Sequence, residues 1–368
     1  FKNIYKKKFK TIFNMILVTG STGLIGSVAS EFYLNKNKRV LGIDNDLRSY
    51  FFGKKSSNKW KELLLKRYKK YNHFSIDIRN KKKVFEIFKN YRSQIKSVIH
   101  TAAQPSHDWA AREPFVDFGV NANGTLNLLE AVRIYCPESS FIYTSTNKVY
   151  GDRPNYLPLK EKKFRFEIDK KHFFFRKGIN EKMSIDQTTH SIFGSSKLSA
   201  DILVQEYGRY FNLKTAILRG GCLTGENHSG AELHGFLSFL VKSIINKKTY
   251  SIFGYKGKQV RDNIHSHDVI SALNEFQKKP KPGGVVYNIG GGRVNSCSIL
   301  EAISLIENIS GIKSKYKVLK KNRIGDHIWW ITDNTKFEKD YPKWKIKYSL
   351  KNSLEQMIRF EFNRLKKR

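Results

Sequence analysis

Cysteine is nearly absent from this chain, with three in 368 residues. Cys136, Cys222 and Cys297 are far apart and show no CxxC spacing. That excludes a disulfide framework and a thiolate zinc site, and it fits a reducing, cytoplasmic setting. No apolar run approaches the roughly 18 residues a membrane span requires, so a soluble protein with no membrane partner is expected. Acidic residues are also scarce, 32 against 68 lysines and arginines, leaving a net charge of +36. A basic surface attracts nucleic-acid phosphates without regard to sequence. Here the lysines are spread through every segment and no recognition motif accompanies them, so they read as solvated faces, with no nucleic-acid partner. Part of the excess is available to steer an anionic substrate.

What is present is a substantial core. Hydrophobic residues make up 40% of the chain, and the length suits two modest domains or one large α/β domain with an elaborated end. Residues 1–14 are basic and aromatic, do not begin with Met, and lack the apolar core of a secretion signal. They read as a disordered extension outside the fold, which opens at Met15. Ile16 to Val18 form a short buried-strand signal, followed by Gly20, Gly23 and Gly26 at three-residue spacing. Leu24, Ile25, Val28, Ala29 and Phe32 then carry helical periodicity. A strand, a glycine turn and a helix place backbone N–H groups and a helix N-terminus around a diphosphate. Gly20 permits the tight turn, Gly23 the approach of phosphates, and Gly26 the packing of helix on strand.

The next strand signal, Arg39 to Asn45, ends at Asp44. An acid about 20 residues beyond the glycines accepts from adenosine ribose hydroxyls and repels an added phosphate, which favours NAD over NADP; Arg48 nearby weighs the other way. Strand and helix signals continue to alternate, predicting a Rossmann-type, doubly wound parallel α/β sheet. Strands are expected at His73 to Ile78, Ser97 to Ala102, Ser140 to Thr144, Leu213 to Arg219 and Val285 to Ile289, with a helix over Asn121 to Ile134. Asp77 and Ile78 fall near the adenine. Ala102 and Ala103 are small enough for a cofactor to lie close to the backbone.

The order TGxxGxxG, Asp44, Asp77-Ile78, His100-Thr-Ala-Ala and Thr144-Ser-Thr-Asn-Lys-Val-Tyr-Gly151 resembles the extended short-chain dehydrogenase/reductase superfamily, also called the NAD-dependent epimerase/dehydratase family. Its members remodel nucleotide sugars with tightly held NAD. Ser145 to Asp152, Gly257 to Asp262 and Tyr287 to Gly291 look most like a branch that epimerises CDP-sugars. The resemblance runs from Met15 to about residue 335 and implies a cytoplasmic, homodimeric epimerase acting on a nucleotide-diphosphate sugar. It implies that Thr146 hydrogen-bonds the sugar oxygen and that Lys197 grips the nicotinamide ribose. It further implies that Gly20, Gly23, Leu24, Ile25, Gly26, Asp44, Asp77, Ile78, Ala102, Ala103 and Asn121 contact the cofactor. Asn147, Arg261 and Arg323 are the implied substrate contacts.

Position 193 departs from the pattern. The superfamily has Tyr-x-x-x-Lys, and this chain has Phe193-Gly-Ser-Ser-Lys197. Spacing four keeps both on one helix face, so phenylalanine fills the place of the catalytic tyrosine but carries no exchangeable proton. General base catalysis contributes about 10²–10⁴-fold. Three readings stand open: another base (Asp186, His190, Tyr150 or His107), a variant reaction with less need of one, or a nucleotide-binding protein that has lost its chemistry. A dehydratase or oxidoreductase on the same fold is the rival enzyme class.

The basic, aromatic segment 153–185 reads equally as a lid on the sugar pocket or as a surface insertion. The cofactor domain is expected to span 15–219, with strand 285–290 returning to it. Residues 220–284 and 291–347 are then a smaller substrate domain, and 348–368 an amphipathic basic helix packed on it. Cys222, Thr224, Asn227, His228 and His234 fall on a Gly-rich loop near the pocket. No carboxylate or cysteine cluster joins the two histidines, so no metal is expected.

Overall fold

The computed structural model describes residues 14–226, 228, 235–320, 322 and 325–366. The expected extension at 1–14 therefore lies outside the described residues, except for Asn14. Seven parallel strands form the main sheet: β1 (Met15–Thr19), β2 (Arg39–Ile43), β3 (Tyr71–Phe74), β4 (Ile95–His100), β5 (Ser140–Thr146), β6 (Lys214–Gly220) and β7 (Val285–Ile289). Their order is β7-β6-β5-β4-β1-β2-β3. The chain reverses direction across the sheet between β1 and β4, where a crevice opens at the carboxyl ends.

Alternation along β1 explains the two layers of core. Ile16 and Val18 face helix α1 (Leu24–Asn35) in one cluster, while Met15 and Leu17 pack with Val98, Leu128 and Phe141 in the other. Both faces are covered, so Met15–Val18 of β1 and Val40–Ile43 of β2 are buried without a break. The third strand is shorter than the expected 73–78. After Phe74 the chain turns, and the Asp77 carboxylate accepts from Arg79 N, which ends sheet pairing. The fifth is longer than 140–144, because Thr144–Thr146 stay paired with Leu218–Gly220. The helix expected from Asn121 begins at Gly124, preceded by a π turn at Gly119–Asn123.

A second core lies beyond β6. The helices Phe236–Ile245, Ile299–Ser310 and α4 (Leu350–Lys366) bury Leu240, Ile303 and Leu354 together. The small sheet pairing Val260–His265 with Cys222–Thr224, Ser296–Ser298 and Trp329–Trp330 links this core to the crevice. The division at residue 220 is interleaved rather than clean. Val269, Leu273, Phe276, Phe337 and Trp344 all belong to the core of the main sheet, beside α1.

Segment 153–185 forms a short hairpin, Leu159–Glu161 with Phe166–Ile168, and buries Ile168, Ile179 and Met183 against Trp329 and Trp330. None of its residues lines the crevice. It is a packed flank, not a lid.

Candidate active site

The crevice contains a cavity of about 420 Å³ that runs from the start of α1 to Arg261 and Asp326. At its first end the glycines do different work. Gly20 sits at φ +64°, and a Cβ there would stand 2.7 Å from Ala102 N. A Cβ on Gly26 would fall 2.0 Å from the Gly20 carbonyl oxygen, so only glycine lets α1 pack so closely. Gly23 has just one such neighbour, Gly20 O at 3.1 Å. It opens a helix with no side-chain cap and no acid in its first turn, and the next two residues, Leu24 and Ile25, line the cavity. Uncapped N–H groups at a cavity wall fit an anionic ligand.

Asp44 follows β2 and braces the same turn. Its Oδ2 accepts from Thr22 N (2.9 Å) and Thr22 Oγ1 (2.7 Å), and its Oδ1 from Asp46 N (2.8 Å). Oδ2 is thereby filled, and the remaining acceptor capacity is on Oδ1, open to a ribose hydroxyl. Asp77 receives Arg79 Nη2 (2.7 Å) and Asn45 Nδ2 (3.0 Å), which ties the ends of β2 and β3 together. Arg48 and Lys61 also line the cavity; burial pushes Lys61 down to about 7 and Arg48 to about 10. Lys61 was missed in the sequence because nothing sets it apart from the other lysines.

Two expected cofactor contacts have other occupations. The side chain of Ile78 is buried, and a Cβ on Gly124 would press against it at 2.6 Å. The Asn121 amide is buried too. Its Nδ2 lies 3.2 Å from Gln104 O and 3.0 Å from both Asp117 Oδ1 and Ser196 Oγ, sharing its two hydrogens among them, and its Oδ1 accepts from Gln104 N, so it fastens the loop after β4 to helix α3 (Ser191–Tyr210). Of the two alanines, Ala103 lines the cavity, and Ala102 N donates to Thr19 Oγ1 (3.3 Å) beside the turn.

At the centre, Thr146, Asn147, Phe193 and Lys197 come together on the cavity wall. Thr146 Oγ1 accepts from Lys148 N (3.2 Å), which points the hydroxyl at the end of β5. Lys197 Nζ donates to Thr144 O (2.9 Å) and lies 4.2 Å from the Tyr143 ring centroid. Burial pushes this ammonium down to about 7. A buried ion pair beneath holds α3 against β5 and β6. Arg219 binds both Asp201 oxygens (3.0 and 2.9 Å), and Ser145 Oγ donates to Asp201 Oδ2 (2.6 Å).

At the far end Arg261 Nη2 donates to Asp326 Oδ1 (2.5 Å), and Lys148 Nζ stands 3.5 Å from the same oxygen while donating to Gly325 O (2.8 Å). Burial brings Lys148 down to about 8. Lys148 and Asp326 were not expected as site residues, although both sit beside motifs already singled out. Cys222, Thr224 and His228 do line the cavity. Arg323, Asn227 and His234 lie outside the described residues. No group of three or more metal-ligating side chains occurs among the described residues.

The four candidate bases separate sharply. Asp186 is exposed and accepts from its near neighbour Ser184. His190 Nε2 is engaged by Ile185 O (2.8 Å). Tyr150 is buried, its hydroxyl between Asn288 Oδ1 (2.8 Å) and Arg219 Nη1 (3.0 Å). None of these three lines the cavity; His107 does, with its ring centroid 4.8 Å from that of Phe193.

A family model, the NAD dependent epimerase/dehydratase family, matches residues 16–290. The chain belongs to this family. Among relatives, CDP-paratose 2-epimerase of Salmonella typhi is 33% identical over 350 residues, covering 93% of this chain and 97% of that one. UDP-glucuronic acid 4-epimerase from Bacillus cereus, crystallised with UDP-glucuronic acid and NAD, superposes with a TM-score of 0.77 at 25% identity, covering 95% of this chain and 99% of the other. A tyrosine-to-phenylalanine mutant of that enzyme, with a fluorinated UDP-sugar and NAD, superposes equally well. Like the other members of its family, this chain has the Rossmann-like α/β sheet.

Proposed function

We propose that this family member is a nucleotide-sugar epimerase that works with resident NAD, and that its substrate is a CDP-sugar inverted at carbon 2. The observation that carries the reading is one continuous cavity. It joins the uncapped N-terminus of α1 to Thr146 and Lys197 and then to Arg261, and among the described residues five cationic side chains (Arg48, Lys61, Lys148, Lys197, Arg261) line it against one carboxylate, Asp326. Such a cleft suits two diphosphates, those of dinucleotide and nucleotide sugar, through charge-assisted hydrogen bonds.

Residues of the first β-strand, turn and helix, with Asp44, would hold NAD, which when bound supplies the reversible oxidation of a sugar carbon. Thr146 would hydrogen-bond the sugar oxygen as it gains carbonyl character. Lys197 would orient the nicotinamide ribose and add positive charge beside the reacting carbon. Arg261, with Asn147 and Arg323, would hold the nucleotide so that the sugar can present either face. The resemblance to CDP-paratose 2-epimerase over nearly the whole chain supports the CDP-sugar and the carbon.

A dehydratase needs an acid and a base to remove water, and the one lining carboxylate among the described residues is already paired with Arg261. We favour a homodimer, with Phe115 and Ile192 exposed on neighbouring helices, and a cytoplasmic location. The test is direct. Purified protein should carry NAD and interconvert one member of a CDP-, UDP-, GDP- and dTDP-sugar panel without change of mass. Protein that neither retains NAD nor epimerises any of them sinks the proposal.

A further inference from the structure

Phe193 removes the phenol from the cavity wall without leaving a gap. Its ring is buried, and against it lies His107, the first residue of helix α2 (His107–Arg112), with centroids 4.8 Å apart and planes tilted by 56°. The imidazole is held in place. His107 Nδ1 is 3.0 Å from Ser191 Oγ, and Ser191 opens α3 at φ +61°, a conformation rare for serine. The same oxygen accepts from Gly194 N at 3.3 Å. Gly325 closes over the pair: a Cβ there would stand 3.3 Å from His107 Nδ1 and 3.4 Å from the Ser191 Cβ. A strained serine and a close-packed glycine thus converge on one imidazole edge.

Resting on the epimerase reading, we infer that His107 replaces the missing tyrosine as the proton acceptor, an imidazole standing over Phe193 where the family uses a phenol. When Nδ1–H donates to Ser191 Oγ, Nε2 carries the lone pair. The sugar O–H bond breaks, its proton passes to Nε2, and its electron pair becomes the second bond of the carbonyl. The carbon's hydrogen leaves with its own electron pair to bound NAD, the oxidant. Return of both to the keto sugar restores a neutral imidazole. Lys148 is the rival base in this corner, but its Nζ is committed to Gly325 O and faces Asp326.

The experiment compares native holoenzyme with His107→Gln, Lys148→Gln, and each combined with Phe193→Tyr, on the panel member that native protein converts. His107→Gln should lose about 10²–10⁴-fold in kcat while retaining NAD. Adding Phe193→Tyr should recover most of that loss for His107→Gln and not for Lys148→Gln. In ¹⁵N-histidine-labelled holoenzyme, the His107 imidazole signal should move on adding the sugar nucleotide more than on adding CDP alone. Full turnover by His107→Gln, rescue confined to Lys148→Gln, or an unmoved imidazole signal overturns this inference alone. Absence of turnover by native protein across the whole panel overturns the epimerase reading instead.

Discussion

Replacing Gly23 and Gly26 separately by alanine distinguishes a glycine kept for a ligand from one kept for the fold. At Gly26 the new methyl would lie 2.0 Å from Gly20 O and 2.7 Å from Gly20 C, both backbone atoms. Helix α1 must move off the turn, and overpacking of this kind costs about 1–3 kcal/mol. Only about 0.5–1 kcal/mol returns from alanine's better helix propensity. At Gly23 the backbone has φ −65°, open to any residue, and the single close neighbour at 3.1 Å needs a shift of a few tenths of an ångström. Loss of unfolded-chain freedom offsets that by about 0.4–1 kcal/mol, so stability should stay within about 1 kcal/mol of native. The methyl does, however, stand where a diphosphate would meet the uncapped N–H groups. Thermal unfolding with and without added NAD reads both effects. Gly23→Ala should melt like native protein stripped of NAD and gain nothing from NAD, whereas Gly26→Ala should melt lower in both conditions. Retention of NAD by Gly23→Ala at native affinity would refute the placement of the diphosphate.

Further outcomes follow from the cavity's charges. Burial lowers Lys61 and Lys197 to about 7 and Lys148 to about 8, against 10.5 in an unfolded chain. Without nucleotide these lysines therefore destabilise the fold progressively as pH falls from above 10 to about 7, with no further loss below. Anionic ligands favour their charged forms, so NAD and sugar-nucleotide binding at pH 8 should take up protons, seen as a buffer-dependent heat in calorimetry; no uptake, or release, contradicts the site. Arg261→Lys loses the fork that meets a diphosphate and should weaken sugar-nucleotide binding at least about tenfold while leaving NAD content unchanged by mass spectrometry. Lys197→Met should lower kcat by about 10²-fold or more with the fold intact by circular dichroism. Phe115→Asp, at a side chain 92% exposed, should halve the mass seen in sedimentation if that face joins two copies, and leave it unchanged if it does not.

Much of this was legible because local chemistry and global position coincide in the first βαβ unit. The glycine spacing, the apolar run before it and Asp44 each required the turn that the structure contains. The carboxyl ends of the strands were harder to place. Burial of Ile78 against Gly124 and the spending of the Asn121 amide on three partners depend on packing between elements far apart in sequence. Segment 153–185 has a composition that suits a lid as well as a flank. Only its burial against Trp329 and Trp330, more than 140 residues away, decides the matter. Lys148 shows the opposite case. It sat inside a quoted motif, but its charge mattered only once Asp326 and Arg261 were folded against it.

The same contrast explains how the site can hold phenylalanine at 193 beside a well-placed Lys197. Lys197 is anchored by the Thr144 carbonyl and the Tyr143 ring, and burial together with Asp201 and Asp117 sets its charge. None of these partners involves residue 193. The polarising half of the Tyr-x-x-x-Lys pair is thus built into β5 and α3, while the proton-accepting half depends on one oxygen atom. A change at 193 that preserves ring volume costs little in packing and leaves the lysine, Thr146 and the helix register untouched. If the site carries out the proposed epimerisation, the proton would be taken by a group that reaches the same corner from another element. On the inference above that group is His107, which the start of α2 brings against Phe193 and Ser191 at the start of α3 orients.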